Sequence, residues 1–339
     1  MRTDALRTGE SKLPSSRSKS DKEWILRTIE LARRGFAGAS PNPYVGCVIV
    51  KDGKAVGEGA HLYFGGPHAE VHALKEAGHK AKGATVYTNL EPCSHWGKTP
   101  PCALALIRAG VKKVVSAMRD PNPLVAGKGF AALKKAGIKV ITGVVESEAR
   151  HLNRSFIKFI RERKPYVFLK SALSLDGKSA AGNGDSKWIS SEESRNFARR
   201  LRAEVDGILV GGQTVRQDNP SLTAHGFGRN PVRIVLSKSG KLPKKSKVFD
   251  GKAQTWVLKG SIKEVMSVLG RQGISRLLVE GGDQTASEFL KAGEVDEVLY
   301  FVAPILLGGA QKMNDALRLE GVETWKQGQD IAVWARVKK

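Results

Sequence analysis

The chain has 339 residues, 41% hydrophobic and 26% charged, with a formal net charge of +23. That length holds two domains with full cores, the composition is that of a globular protein, and no apolar run approaches the roughly 20 residues of a membrane helix. Three cysteines exclude a disulfide scaffold and predict a reducing, cytoplasmic setting.

The positive charge asks for an anionic partner. The basic residues are dispersed, aromatics are only 6%, and no arginine-rich arm is present. That pattern favours phosphorylated small molecules over nucleic acid. The densest basic cluster, Lys238, Lys241, Lys244, Lys245 and Lys247, surrounds Gly240 and Pro243 and reads as a loop.

In chain order, residues 1–20 are polar and aperiodic, which predicts a disordered extension. No apolar signal core is present, and Asp4 and Glu10 interrupt the basic bias of a transit peptide. Ser20-Asp21-Lys22-Glu23 fits a capping box before a helix from Trp24 to Arg34. A strand from Val45 to Val50 follows, with Cys47 as a buried strand residue, then a turn at Asp52-Gly53 and a second strand through Val56.

Pro67-His68-Ala69-Glu70-Val71-His72-Ala73-Leu74 reads as a helix start. A strand from Thr85 to Leu90 delivers Glu91-Pro92-Cys93 at its end, and Cys102 opens another helical stretch. Val111 to Ala117 is a strand, Gly129 to Ala136 a helix, and Ile138 to Thr142 a strand. Alternating strands and helices imply an α/β/α sandwich.

His68, Cys93 and Cys102 therefore fall at element ends, where sites are built. Two cysteines and a histidine scattered through a chain are usually unrelated, and a lone buried cysteine is commonly an apolar filler. Here one imidazole and two thiolates form a zinc set that leaves a fourth position for water. Glu70, two residues from His68, can shuttle protons. This chemistry turns an amino group on a pyrimidine into a carbonyl. Eight residues, Ser94 to Pro101, separate the cysteines, where deaminases of nucleic acid have Pro-Cys-x-x-Cys. Lys98 in that loop suits a phosphate on a small substrate.

Residues 146–163 have helical periodicity, with Leu152, Phe156, Phe159 and Ile160 apolar, and are expected to bridge two domains up to Pro165. A second α/β pattern follows. Strands are predicted over Tyr166–Ser171, Gly207–Val210, Val232–Leu236, Thr255–Leu258, Arg276–Val279 and Glu297–Val302. Helices are predicted over Glu192–Ala203, Ile262–Arg271 and Gln284–Ala292. No dinucleotide fingerprint Gly-x-Gly-x-x-Gly follows a strand. Two Gly-Gly turns stand out, Gly211-Gly212 and Gly281-Gly282, each after an apolar strand. They suit either phosphate binding at a helix start or tight packing. Asp218-Asn219-Pro220 and Ser174-Leu175-Asp176-Gly177 read singly as turns, and Arg202 as a helix-dipole partner.

Together these strings resemble one family, the bifunctional riboflavin-biosynthesis deaminase–reductases of the RibD/RibG type. The strings are Ser40-Pro41-Asn42-Pro43-Tyr44-Val45-Gly46, Pro67 to Ala73, Glu91 to Cys102, Asp120-Pro121-Asn122-Pro123, Lys170 to Gly177, Asp218 to Thr223 and Glu280-Gly281-Gly282. The resemblance covers about residues 21–310. It implies a cytidine-deaminase-like α/β/α domain over 21–146, a linker helix over 147–164, and a dihydrofolate-reductase-like α/β domain over 165–339.

The implied first reaction hydrolyses the 2-amino group of 2,5-diamino-6-ribosylamino-4(3H)-pyrimidinone 5′-phosphate. The resemblance gives zinc to His68, Cys93 and Cys102, the proton shuttle to Glu70, the base or ribose to Asn42 and His61, and the phosphate to Lys98. The implied second reaction delivers a hydride from NADPH to ribose C1′. Lys170, Asp218 and Glu280 would stand at its centre. Ser186, Arg202, Leu222 and Glu280 would bind substrate, and Ala172, Trp188, Thr214, Asp218, Ser237 and Gly282 would line the NADPH site.

The chain departs from the family where an arginine commonly follows Thr223: it has Ala224-His225, with Arg229 as the substitute to examine. Lys238 stands where a serine often meets the cofactor, with Ser237 next to it. A homo-oligomer, dimer or tetramer, is expected, with no membrane and no specific nucleic acid. Three rivals remain: a nucleic-acid base deaminase, a basic RNA-binding protein with a closed four-ligand structural zinc, and a chain keeping only one activity. His72 or His95 on the metal would favour the second.

Overall fold

The computed structural model describes residues 20–36, 38–96, 100–179, 189–305 and 319–338. Lys98, Ser186, Trp188 and the expected extension apart from Ser20 lie outside them. The chain divides into two compact units, Met1–Glu162 and Arg163–Lys339.

In the first unit, α1 (Asp21–Ala32) begins with the expected capping box. The Ser20 hydroxyl accepts from the Glu23 amide at 3.3 Å, and the Glu23 carboxylate accepts from the Ser20 amide at 2.6 Å. Strands β1 (Gly46–Lys51) and β2 (Lys54–Ala60) form a hairpin, and β3 (Thr85–Thr88), β4 (Lys113–Ser116) and β5 (Lys139–Thr142) complete the sheet. The order is β2-β1-β3-β4-β5, antiparallel across β2, β1 and β3 and parallel from β3 to β5. Trp24, Ile25 and Ile29 of α1 join Val48, Val86 and Val114 in the core.

Helix α2 (Ala69–Ala77) lies unusually close to β2. A Cβ on Gly59 would stand 2.1 Å from the Ala69 carbonyl oxygen, and one on Gly57 2.2 Å from that of Ala73. Glycine at these strand positions lets the helix that carries Glu70 press onto the sheet. Helices α3 (Cys102–Arg108) and α4 (Lys128–Lys135) follow the metal segments.

The expected linker helix is instead two helices, α5 (Glu146–Leu152) and α6 (Arg154–Glu162), and both belong to the first unit. The break has a cause. Asn153 is fully buried, and its side chain acts as a peptide would. Oδ1 accepts from the Tyr44 amide at 2.8 Å, and Nδ2 donates to the Tyr44 carbonyl at 3.0 Å. Asn89, also fully buried, donates to the same carbonyl at 2.9 Å and accepts from the Gly46 amide at 2.8 Å.

The second unit holds an eight-stranded sheet. Its strands are β6 (Tyr166–Ser174), β7 (Gly207–Gly211), β8 (Val232–Leu236), β9 (Thr255–Leu258), β10 (Arg276–Val279), β11 (Glu297–Ala303), β12 (Leu319–Gln327) and β13 (Asp330–Val337). The order is β12-β13-β11-β6-β10-β7-β8-β9, parallel from β11 to β9, with β13 and β12 an antiparallel hairpin at one edge. Helices α7 (Glu192–Glu204), α8 (Gly212–Asp218), α9 (Ile262–Arg271) and α10 (Asp283–Lys291) connect them. Leu209, Leu277, Val279, Met266 and Phe289 are fully buried between sheet and helices.

Two buried charges anchor the connections. Asp330 accepts from the Ser191 amide at 2.7 Å and the Ser194 hydroxyl at 2.6 Å, which ties the hairpin to the start of α7. Arg233, on β8 beside the edge strand β9, donates to the carbonyls of Lys247 and Ala253 and to the Asp250 carboxylate.

Replacing Asn153 by Ala removes the partner of a buried amide and one partner of a buried carbonyl. The expected cost is about 2–4 kcal/mol, read as a lower urea midpoint for the first unit with the second unit's transition unmoved.

Candidate functional sites

In the first unit, His68 is the N-cap of α2, Cys93 follows β3, and Cys102 is the first residue of α3. The three elements bring His68 Nδ1 to 3.2 Å from Cys102 Sγ and 3.5 Å from Cys93 Sγ. All three ligand atoms lie within 4.8 Å of one another. Among the described residues no fourth His, Cys, Asp or Glu joins this group, so neither His72 nor His95 closes it. The donor set and its open fourth side fit a catalytic zinc site better than a structural one.

The two sulfurs differ in their surroundings. The Cys102 hydrogen bond draws the Cys93 thiol down to about 4 against the opposing effect of burial, with His68 adding to the fall. Cys102 is held up by its hydrogen bond to Cys93 and by burial. Glu70 is buried in the first turn of α2, and burial lifts its carboxyl above the ordinary range.

His68, Cys93 and Glu70 line a cavity of about 300 Å³ together with Asn42 and His61. His61 Nδ1 lies 3.0 Å from the Pro67 carbonyl, which can only accept. The proton therefore sits on Nδ1, and Nε2 accepts from Asn42 Nδ2 at 3.0 Å. Burial favours this neutral ring by pulling its pKa down. Asn42 is left with its carbonyl oxygen for a ligand.

Sequence reasoning assigned no role to several wall residues. Asp120 and Asn122 come from the Asp-Pro-Asn-Pro string, and Phe156, Phe159 and Ile160 from α6. Burial pushes the Asp120 carboxyl up to about 6. The α6 residues were visible as an apolar stripe, but a stripe does not say what it covers.

In the second unit, a cavity of about 820 Å³ opens at the carboxyl ends of β6, β10, β7 and β8, where open parallel sheets bind ligands. Lys170, Ala172, Arg202, Thr214, Asp218, Ser237, Glu280 and Gly282 all line it. Leu222 does not: it is buried at a positive φ of 55° beside the cavity-lining segment. Arg229 is no substitute for the missing arginine, because it pairs with Asp206 at 2.6 Å away from the lining. Lys238 does line the cavity, next to Ser237. Both Gly-Gly turns lead into helices, α8 and α10.

At the cavity floor Glu280 is buried between two cations. Arg202 meets it with two parallel bonds, Nε to Oε1 at 2.8 Å and Nη2 to Oε2 at 2.9 Å, and Lys170 Nζ is 3.7 Å from Oε2. Arg202 also donates to the Thr223 carbonyl at 3.1 Å. Burial alone would raise the Glu280 carboxyl, but Arg202 and Lys170 outweigh it and hold it at about 2. Lys170 is pulled down by burial, against the opposing charge of Glu280.

Comparison with known proteins agrees with this two-site layout. Residues 18–118 match the family model of the cytidine and deoxycytidylate deaminase zinc-binding region, and residues 165–333 that of the RibD C-terminal domain. The chain is 44% identical to the riboflavin biosynthesis protein RibD of Bacillus amyloliquefaciens, over 92% of this chain and 95% of the relative. It is 41% identical to the Escherichia coli protein of the same name, over 92% and 98%. Among solved structures, Acinetobacter baumannii RibD superposes with a TM-score of 0.88 at 39% identity, covering 94% of this chain and 99% of the other. A Thermotoga maritima diaminohydroxyphosphoribosylaminopyrimidine deaminase/5-amino-6-(5-phosphoribosylamino)uracil reductase superposes at 0.87 and 37%, with the same coverage.

Replacing Glu280 by Gln leaves two buried cations uncompensated, an expected loss of about 3–5 kcal/mol. Because the folded pKa lies below the ordinary 4.5, the wild-type ion cluster stabilises fully above that value. Its contribution is lost as pH falls through about 2. Urea unfolding of the second unit across this window should show a steeper acid loss for wild type than for E280Q.

Proposed function

The chain belongs to the RibD family of riboflavin-biosynthesis enzymes with a deaminase and a reductase domain, and from that premise we propose the chemistry of each site. One observation carries the reading: a three-ligand metal group with a buried carboxyl beside it, and a dinucleotide-sized cavity over a buried Lys170–Glu280–Arg202 cluster, occur in one chain.

In the first unit, the substrate is 2,5-diamino-6-ribosylamino-4(3H)-pyrimidinone 5′-phosphate. His68, Cys93 and Cys102 would hold zinc, which would supply the Lewis acidity that makes water nucleophilic near neutral pH. Glu70, with a carboxyl raised by burial, takes a proton from the attacking water. It hands protons to the ring nitrogen beside C2 and to the departing amino group, so that ammonia leaves and C2 becomes a carbonyl. The Asn42 carbonyl oxygen, aimed by the neutral His61, orients the base. Lys98 is assigned to the phosphate.

The second cavity would hold NADPH, which would supply the hydride for reduction of the ring-opened imine at ribose C1′. The substrate nitrogen takes up a proton, and the ribosyl becomes a ribityl side chain. Lys170, a buried ammonium with a lowered pKa, and Asp218 at the end of α8 are the groups placed to supply and orient that proton. Glu280 keeps Arg202 and Lys170 fixed, while Arg202 retains further guanidinium hydrogens for the substrate. Ser186 is assigned to the substrate, and Ala172, Trp188, Thr214, Ser237 and Gly282 to NADPH. The free cysteines suit a reducing cytoplasm, and no described helix is long and apolar enough to cross a membrane.

The test follows ammonia release and loss of reduced-nicotinamide absorbance together, with the phosphorylated diaminopyrimidine, zinc and NADPH. Glu70→Ala should slow ammonia release by about 100- to 10,000-fold, with reduction of separately supplied deaminated substrate intact. Asp218→Ala should do the reverse. A zinc chelator should silence only the first step. Ammonia release from single-stranded DNA or tRNA, with none from the diaminopyrimidine, would refute the reading.

A further inference from the structure

Glu91 stands at the end of the segment that delivers Cys93, and it is buried. Its carboxylate accepts four backbone amides from one stretch of chain. Oε2 accepts from Asp120 at 3.2 Å and Gly127 at 2.9 Å, and Oε1 from Gly129 at 3.0 Å and Phe130 at 3.2 Å. Gly127, Gly129 and Phe130 are the N-cap and first-turn residues of α4. The N-cap is a glycine, without a side chain to serve them, so the cap comes from a carboxylate 36 residues upstream. The helix dipole adds to the compensation of its charge.

The clamp is closed from the other side as well. The Glu91 amide donates to the Met118 carbonyl at 3.0 Å. A Cβ on Gly129 would stand 1.9 Å from the Pro92 carbonyl oxygen, so α4 begins in direct contact with the residue before Cys93. Between the clamped ends, the segment sends Asp120, Asn122 and Val125 into the wall of the first cavity.

We propose that Glu91 is a positioning residue for deamination: it sets the substrate-facing segment 119–126 in register with Cys93. The reading rests on the first cavity being the deamination site. Gln is nearly isosteric, but it replaces one carboxylate oxygen by an NH₂ group that faces two backbone amides and cannot accept from them. In the full-length zinc-loaded enzyme, Glu91→Gln should raise the deaminase KM for the phosphorylated diaminopyrimidine at least tenfold. Bound zinc should stay at one per chain, and the reductase rate in the same chain should not change. Gly129→Ala, which forces Pro92 and α4 apart, should give the same pattern and decides the matter if E91Q does not fold.

A variant that melts at lower temperature yet deaminates with wild-type kcat and KM well below its melting point would show a helix cap alone and overturn the proposal. Loss of zinc without a KM change in the zinc-reconstituted enzyme would overturn it too, by moving Glu91 to the support of the ligands. If wild type released no ammonia, the deaminase reading itself would fall. Wild-type turnover with an unimpaired E91Q would sink this inference alone.

Discussion

A carboxylate removed from water loses a large hydration energy that something in the protein must replace. Glu280, Glu91 and Glu70 meet that demand differently, and the two sites are organised around the outcomes. Glu280 is compensated by Arg202 and Lys170 and stays ionised far into acid. Glu91 receives four main-chain amides and serves as a structural anion. Glu70 has no such array, so burial raises its affinity for a proton. The same desolvation thus yields a fixed charge, a clamp and a carboxyl with raised proton affinity according to what faces each group.

Backbone placement does the rest. His68, Cys93 and Cys102 come from three segments, yet each sits where a strand ends or a helix begins, and the glycines of β2 let α2 approach the sheet closely enough for His68 and Glu70 to enter one cavity. In the second unit, the parallel strands deliver Lys170 and Glu280 to the same edge, and α7 brings Arg202 back over them. The chemistry lies in side chains, and their convergence follows from strand direction.

Much of this was legible in advance where local pattern and tertiary role agree. The bounds of β8, β10 and α9 coincide with the apolar runs that predicted them, because buried parallel strands and an amphipathic helix are written in hydrophobic period. The helix break at Asn153 was not legible: asparagine is an unremarkable residue in a charged helical stretch, and its role exists only once Tyr44 lies beside it. The hairpin of β12 and β13 escaped because β12 is an exposed edge strand without apolar alternation. Glu91 read as a neighbour of the metal motif, since hydrophobic period locates the helix of α4 but not the carboxylate that caps it from 36 residues upstream. The positive backbone angle at Leu222 and the pairing of Arg229 with Asp206 are likewise tertiary facts that no local pattern carries.

The tie between Asp330 and the start of α7 carries a consequence for how the enzyme is born. Every element around the metal cluster emerges from the ribosome before residue 163, so that unit can condense while synthesis continues. The helix bearing Arg202 must instead wait through more than a hundred further residues for the strand that fastens its first turn. In a chain made from its N-terminus, every residue of the His68, Cys93 and Cys102 group is therefore present long before the strand that fastens the Arg202 helix exists.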